Sequence, residues 1–154
     1  MNKETQASGG TLVEQARALL SGQKDRIANA ANLSALLFLE FGDISWAGFY
    51  FLRGDRLILG PFQGKPACVS IPMGKGVCGT AAASRSTQRV ADVHSFAGHI
   101  ACDVDARSEV VVPLVLHGVL IGVLDIDSST LARFNAQDQE VIEQLAKIYL
   151  ESID

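Results

Sequence analysis

The sequence predicts an α+β domain with an antiparallel sheet. Two helical segments come first, short strand segments joined by tight turns follow, and one amphipathic helix closes the chain. This order is typical of an α+β fold, because a parallel sheet would need a crossover helix between successive strands. The chain has 154 residues, 48% of them apolar, which suffices for one substantial core. We expect residues 1–10 to form a flexible arm and residues 11–154 to form a single domain.

Helical spacing marks the beginning of the domain. Thr11 is followed three residues later by Glu14, which is the spacing of a capping box, so a short helix is expected over 11–21. A second helix is expected over 24–41, where apolar residues recur with helical spacing and Gly42 follows as a stop.

Aromatic and β-branched residues then predict the first half of the sheet. Residues 46–52 are expected to form a strand, 53–56 a hairpin turn and 57–59 the returning strand. After a loop rich in glycine and proline, a short strand is expected over 67–71, and Cys68 would lie on it.

A helix and a long loop separate the two halves of the sheet. Glycines at 74 and 76 lead into a helix expected over 77–83. A short strand is expected over 88–90, and residues 92–107 are expected to form a long loop that can include a helical turn.

The strongest strand signal is a hairpin near the end of the chain. Residues 109–116 and 119–127 are rich in β-branched residues and are joined by a turn at 117–118. Pro113 has no N–H to donate, so it predicts a sheet edge or a bulge. A closing amphipathic helix is expected to begin at residue 135 or 138 and to end at about 152.

Composition and charge argue against several classes of function. The formal net charge is −4, from 13 basic and 17 acidic residues, which argues against a broadly basic surface for nucleic acid. No apolar stretch approaches the roughly 20 residues of a transmembrane helix. The polar N-terminus lacks the apolar core of a secretory signal, so a cytoplasmic protein is expected. Neither glycine-rich phosphate-loop motif is complete.

Three cysteines, Cys68, Cys78 and Cys102, are the first candidates for chemistry. Their odd number excludes a framework of disulfides that uses all of them, and in a reducing compartment a disulfide is more often catalytic or redox-sensing than structural. Cys102 lies in a polar loop with His94 and His99 nearby, which favours a reactive thiolate. An inert buried thiol is the alternative.

The other two cysteines each have two interpretations. Cys68 is either a thiol that resolves a sulfenic acid on another cysteine or a small strand residue, on the face opposite the core-facing Ala67, Val69 and Ile71. Cys78 begins a helix, whose dipole would lower the pKa of its thiol, or it packs there as a small residue. The cysteine spacings of 10 and 24 residues lack the close pair typical of zinc sites, so no metal is expected.

Three acidic residues form a second constellation. Asp125 and Asp127 project to the same strand face at the end of an apolar run, so they either line a site or mark where the strand emerges into solvent. A tight turn would pair residue 110 with 125 and leave Glu109 on the other face, whereas a one-residue bulge near Pro113 would reverse this. If the three acids converge, they form an anionic pocket for an ammonium group, and one with a raised pKa can act as a general acid.

Six segments carry a resemblance to a known family. They are GPFQGKPAC (60–68), GKGVCG (74–79), DVH (92–94), GHIACD (98–103), SE (108–109) and GVLDID (122–127). Together they resemble the free methionine-(R)-sulfoxide reductases, which are small GAF-domain enzymes. The resemblance covers roughly residues 11–150. GAF domains in general share the Gly-x-Gly loop and the terminal hairpin, but not this set of three cysteines and three acids.

The resemblance implies a GAF fold with helices packed on one face of the sheet and a ligand pocket on the other. It also implies reduction of free L-methionine-(R)-sulfoxide, with thioredoxin as the reductant, no metal or organic cofactor, and a homodimer. The residues it assigns are Cys102 as the catalytic cysteine, Cys68 as the resolving cysteine, Cys78 as a third family cysteine, and Glu109, Asp125, Asp127 and Trp46 as substrate-binding residues. Two alternatives stay open: a GAF module that only binds a small molecule, and a thiol redox sensor.

Overall fold

The computed structural model describes residues 8–154, which contain a six-stranded antiparallel sheet and four α-helices. In chain order the elements are α1 (Gly9–Leu20), α2 (Arg26–Glu40), β1 (Trp46–Arg53), β2 (Arg56–Gly64), β3 (Ser70–Pro72), α3 (Gly76–Ser84), β4 (Gln88–Val90), β5 (Ser108–Leu116), β6 (Val119–Ser128) and α4 (Ala136–Ile153). The strands lie in the order β3-β2-β1-β6-β5-β4, and every neighbouring pair is antiparallel. The predicted α+β class is confirmed.

The helices α1, α2 and α4 cover one face of the sheet. Each buries an apolar stripe, such as Leu12, Ala16 and Leu20 of α1, against alternate residues of the central strands, such as Phe49 and Ile126. The remaining helix, α3, packs on the opposite face of the sheet beside a second apolar cluster. The pocket described below lies on that same face. Within residues 8–154, no helix combines the length and hydrophobicity needed to cross a lipid bilayer.

The first helix begins earlier than its sequence pattern predicts. The Ser8 side chain accepts a hydrogen bond from the Thr11 N–H at 3.3 Å, so Ser8 is the N-cap and α1 begins at Gly9. The prediction of Thr11 as the N-cap is therefore wrong, and the predicted arm is helical from its ninth residue. The part of that arm over residues 1–7 lies outside the described residues.

The segment that carries Cys68 is a loop rather than a strand. β3 covers only Ser70–Pro72, so the predicted strand over 67–71 is wrong for its first three residues. Because β2 pairs with β3 over three residues only, the backbone before them is not held in a ladder and strand alternation does not apply. Val69, predicted to face the core, is 68% exposed, and Ala67 is half-buried.

The β5–β6 hairpin contains a one-residue bulge. Next to the predicted turn Val115 lies opposite Leu120, but Leu114 lies opposite Gly122. β6 therefore contributes one residue more than β5 at this point, Ile121, and every pair beyond it is shifted by one. The bulge was one of the two registers that the sequence allowed, and it decides which acids share a face.

Two residues near the bulge, Gly122 and Pro113, have special backbone properties. A Cβ placed on Gly122 would lie 2.2 Å from the Tyr50 carbonyl oxygen of β1, so glycine permits a close approach of the two backbones. Pro113 lies opposite Val123 and beyond the stretch of β5 that pairs with β4. The missing N–H of Pro113 therefore costs the sheet little, as expected for an edge position.

Candidate active site

A pocket opens on the α3 face of the sheet. Its walls come from β1, β3, β5, β6, the first turn of α3 and two loops, residues 65–67 and 99–106. Six of the seven predicted site residues line it, and Cys68 is bonded to Cys102 at its wall. The fold thus brings residues from seven separate parts of the chain around one cavity.

Three carboxyl groups meet at the buried side of this pocket. Glu109 on β5 lies directly opposite Asp127 on β6, and Asp125 follows two residues along on the same face. Glu109 and Asp125 are only 8% and 4% exposed, while Asp127 is half-buried. The convergence that the sequence left open is therefore present, because the bulge turns Glu109 toward the two aspartates.

Burial and mutual repulsion change the protonation of this cluster. Burial and the charge on Asp125 raise the pKa of Glu109 and the pKa of Asp127 well above their usual range. Burial also raises the pKa of Asp125, but hydrogen bonds to Asp125 from Glu109 and Cys78 oppose that rise. The cluster therefore holds protons at a pH where exposed carboxyl groups are ionised. The Asp125 Oδ1 atom is buried without a hydrogen-bond partner among residues 8–154.

Cys78 is the cysteine that lies against the acid cluster. It is 5% exposed in the first turn of α3, and its Sγ lies 3.8 Å from Oε1 of Glu109. Burial, and then the neighbouring carboxyl groups, raise the pKa of the Cys78 thiol well above its usual range. Of the two interpretations that the sequence left open for Cys78, burial as a small residue at the helix start agrees with the structure. A lowered pKa does not, because desolvation and negative neighbours outweigh the helix dipole.

The other two cysteines form a disulfide. The Cα atoms of Cys68 and Cys102 are 5.3 Å apart across a sequence separation of 34 residues, within the range that a disulfide can bridge. The bond joins the two loops at the pocket wall. A hydrogen-bonded ion pair between Lys65 and Asp105, 2.7 Å long, joins the same two loops at the surface.

An aromatic wall supports the loop that carries Cys68. The Trp46 ring stacks on Phe62 and on Tyr50, with centroid distances of 5.2 and 5.9 Å. The Trp46 Nε1 donates to the carbonyl of Lys65 at 3.1 Å, and the Tyr50 hydroxyl donates to the carbonyl of Cys68 at 2.9 Å. The wall therefore shapes the pocket and also holds the adjacent loop in place.

Comparison with known proteins identifies the family. The GAF domain family model matches residues 27–153. Free methionine-R-sulfoxide reductase of Escherichia coli K12 is 56% identical over 128 residues, which cover 83% of this chain and 78% of that protein. The protein of the same name from Saccharomyces cerevisiae is 46% identical over 138 residues, covering 84% and 77%. The X-ray structure of free methionine-R-sulfoxide reductase from Neisseria meningitidis in complex with its substrate matches with a TM-score of 0.92 at 41% identity, covering 99% of this chain and 92% of that one.

This chain belongs to the free methionine-R-sulfoxide reductase family of GAF domains. The resemblance drawn from the sequence motifs is confirmed, and so is the GAF fold. The expectation that all helices pack on one face of the sheet is wrong for α3. This helix shares a sheet face with the pocket instead of packing with the other helices.

Two further residues, Tyr50 and His99, line this reductase-family pocket besides the predicted ones. Tyr50 shares a strand face with Trp46, and the sequence signal was their spacing of four residues. His99 lines the pocket three residues before Cys102, and burial together with the positive charge of His94 lowers the pKa of its imidazole. The signal for His99 was its place in the same loop motif as the cysteine.

One group of residues in this family member has the geometry of metal ligands. Among residues 8–154, the donor atoms of Cys78, Glu109 and Asp125 all lie within 4.8 Å of one another, and all three side chains are buried. No pair of cysteines contributes to it, so the cysteine spacing in the sequence gave no sign of it.

Proposed function

We propose that this chain reduces free L-methionine-(R)-sulfoxide to L-methionine, that Cys102 is the attacking thiol and Cys68 the resolving thiol, and that thioredoxin recycles the enzyme. The observation that carries the proposal is the presence, in one pocket, of a cysteine pair able to form a disulfide and a buried cluster of three carboxyl groups. The family membership supports the same reaction, since relatives from two organisms are named for it.

The first step uses the thiol and the acid together. The Cys102 thiolate attacks the sulfoxide sulfur, and a carboxyl group of Glu109 or Asp127 donates a proton to the sulfoxide oxygen. The attack forms a bond between the Cys102 sulfur and the methionine sulfur. The protonated oxygen then passes from the methionine sulfur to the Cys102 sulfur as that sulfur–sulfur bond breaks, so methionine leaves as the thioether and Cys102 becomes a sulfenic acid. The raised pKa of the two acids suits this role, because a proton donor must still hold its proton at neutral pH.

The second step closes the disulfide. The Cys68 thiol attacks the sulfur of the sulfenic acid, which releases water and forms the Cys68–Cys102 bond. A dithiol reductant such as thioredoxin then returns both cysteines to thiols by disulfide exchange. This cycle requires a reducing compartment, in keeping with the cytoplasmic location expected from the sequence. Cys78 takes no part in the exchange, because its buried thiol is held against Glu109.

The pocket also accounts for a preference for the free amino acid. The acid cluster offers a buried negative partner to the α-ammonium group, and the unpaired Oδ1 of Asp125 is available to it. The first turn of α3, with its positive dipole end, and Lys75 lie on the wall to receive the carboxylate. A methionine sulfoxide within a peptide has neither charge, so it would leave these buried groups unpaired. Trp46 provides the apolar surface for the methyl group.

The decisive experiment compares three substrates in a thioredoxin-linked assay: free (R)-sulfoxide, free (S)-sulfoxide and a peptide containing the (R)-sulfoxide. Turnover is expected with the first alone, and none with the Cys102→Ser variant. Binding of a ligand without turnover of any sulfoxide would favour a GAF binding module instead. Formation of the Cys68–Cys102 disulfide by peroxide, again without sulfoxide turnover, would favour a redox sensor. We also expect a homodimer, which sedimentation equilibrium would test.

A further inference from the structure

We propose that Cys78, Glu109 and Asp125 form a binding site for a thiophilic divalent cation, Zn²⁺ in the first place, and that the bound cation inhibits the enzyme. The binding follows from the geometry of the three side chains. The inhibition rests on the function proposed above, because it requires the acid cluster to serve in turnover.

The three donor atoms have the spacing that a zinc ion needs. Zn–S and Zn–O bonds of about 2.3 and 2.0 Å at a tetrahedral angle place the sulfur and oxygen about 3.5 Å apart. The Sγ of Cys78 and the Oε1 of Glu109 are 3.8 Å apart, and all three donor atoms lie within 4.8 Å of one another. The side chains come from α3, β5 and β6, so no loop has to move to assemble the site.

A second observation points to a positively charged ligand at this position. The Asp125 side chain is 4% exposed, and its Oδ1 has no hydrogen-bond partner among residues 8–154. An unpaired buried carboxylate oxygen is costly, and a cation beside it would offset that cost. The substrate ammonium group pairs with this oxygen during turnover, and a metal ion pairs with it when substrate is absent.

The chemistry of the donors selects the class of cation. A thiolate is a soft ligand that favours zinc and similar ions, whereas Mg²⁺ and Ca²⁺ require six or more oxygen ligands. One sulfur and two carboxylates leave a fourth tetrahedral position open to water.

The consequence for the enzyme is that two of its three pocket carboxyl groups are occupied by the cation. A cation held by Glu109 and Asp125 occupies one of the two candidate proton donors and blocks the place of the substrate ammonium group. We therefore expect zinc and methionine sulfoxide to exclude each other. The metal is an inhibitor in this account, so the expectation that turnover requires no metal is unchanged.

Binding is best tested with Co²⁺ and the oxidised protein, where Cys78 is the one free thiol of the three cysteines. Wild type should develop a thiolate-to-cobalt charge-transfer band that Zn²⁺ abolishes. The band should be absent in Cys78→Ser. In Asp125→Asn the apparent affinity should fall by at least the roughly 10- to 100-fold seen for residues that merely support metal ligands. The Cys68→Ser/Cys102→Ser double variant is the matched control and should keep the band.

No band in wild type or in the double variant would overturn the proposal, and so would a band that persists in Cys78→Ser or is unchanged in Asp125→Asn. Near-ultraviolet circular dichroism of each variant confirms folding. Inhibition is measured separately, as methionine formed in a single turnover of reduced, desalted enzyme. Added Zn²⁺ should raise the substrate concentration needed for half-maximal rate, and Cys78→Ser should lose this sensitivity. If no methionine forms even without zinc, the proposed function fails, while the cobalt result still decides the metal site.

Discussion

Glu109 and Asp127 lie directly opposite each other across strands β5 and β6, with both carboxyl groups on the pocket face of the sheet. Two like charges in this position destabilise a sheet, and burial adds to the cost. The protein reduces the cost by keeping protons on the pair. This arrangement links stability, pH and activity, and the first two predictions follow from it.

Replacing Asp127 with asparagine is expected to stabilise the protein increasingly as the pH rises. Burial raises the folded-state pKa of Asp127 above its ordinary value of about 4, so the folded protein keeps a proton that the unfolded chain has released. Stability from this group is fully present below about pH 4 and is lost as the pH rises toward the folded-state pKa. The variant avoids that loss, which amounts to about 1.4 kcal/mol for each pKa unit.

Urea unfolding of wild type and Asp127→Asn between about pH 5 and pH 8 measures this difference. The control is Asp105→Asn, which removes an exposed carboxylate whose pKa is lowered by hydrogen bonding to Lys65. Because this pKa is lowered, Asp105 contributes to stability with the opposite sign to Asp127. The free energy of unfolding of Asp105→Asn should therefore show no gain over wild type that grows with pH. A difference between Asp127→Asn and wild type that does not change with pH would contradict the prediction.

The same acids are expected to separate in their effects on kcat and KM. One of the two residues, Glu109 or Asp127, donates the proton. Replacing that residue with its amide should lower kcat about 10²- to 10⁴-fold. Asp125→Asn should chiefly raise KM, because the unpaired Oδ1 of Asp125 is the group available to the substrate ammonium. Steady-state kinetics of the three variants on free (R)-sulfoxide provide the test. Wild-type kcat in both Glu109→Gln and Asp127→Asn would exclude these two residues as the proton donor.

Cys68→Ser is expected to react once and then stop. Its Cys102 can still take the oxygen from one substrate molecule, but the thiol of Cys68, whose Cα lies 5.3 Å from that of Cys102, is no longer present to form the disulfide that thioredoxin reduces. Rapid quench should show one methionine per chain followed by very slow turnover. Cys102→Ser should show no methionine at all. Sustained thioredoxin-dependent turnover by Cys68→Ser would remove Cys68 from the cycle.

Cys78 is expected to resist alkylation in the folded protein. Burial and the neighbouring acids raise the pKa of its thiol, so little of the nucleophilic thiolate is present at neutral pH. Iodoacetamide should leave the oxidised native protein unlabelled and should modify one cysteine per chain after unfolding without reductant. Mass spectrometry measures the number of labelled cysteines in both states. Rapid labelling of Cys78 in the native state would show that its site opens.

Gly48→Ala is expected to destabilise the protein and weaken substrate binding together. A Cβ at Gly48 would lie 2.3 Å from the Cβ of Phe62 and 2.8 Å from the Trp46 ring, so the stacked rings must move. Overpacking of this kind costs about 1–3 kcal/mol. Thermal unfolding and KM for the sulfoxide are the measurements. Unchanged KM would show that Trp46 does not shape the substrate site.

Gly10→Ala is the matched control for this substitution. Gly10 lies in α1 with open space where its Cβ would be, and alanine is the better helix former. The control should therefore be neutral or stabilise the protein by about 0.5–1 kcal/mol. It should leave KM unchanged, because α1 packs on the face of the sheet opposite the pocket.

Much of the fold was accessible from local patterns. The turn at His117-Gly118, the strand over Gln88–Val90 and the closing helix with Asn135 as its N-cap all lie where sequence spacing predicted them. These features depend on neighbouring residues only. The start of α1 and the Cys68 segment were wrong, because Ser8 is the better-placed cap and because the Cys68 segment is held by Trp46 and Tyr50 rather than by a β-ladder.

The sequence by itself determined the class of fold, the family and the types of reactive residue, because periodicity, turn chemistry and short motifs are properties of contiguous residues. Only the tertiary structure decided how those residues meet. One extra residue at Ile121 shifts the β5–β6 register and turns Glu109 toward Asp127, and the packing of α3 buries Cys78 against the same acids. A register and a buried electrostatic environment arise from contacts between distant segments, which no local pattern contains.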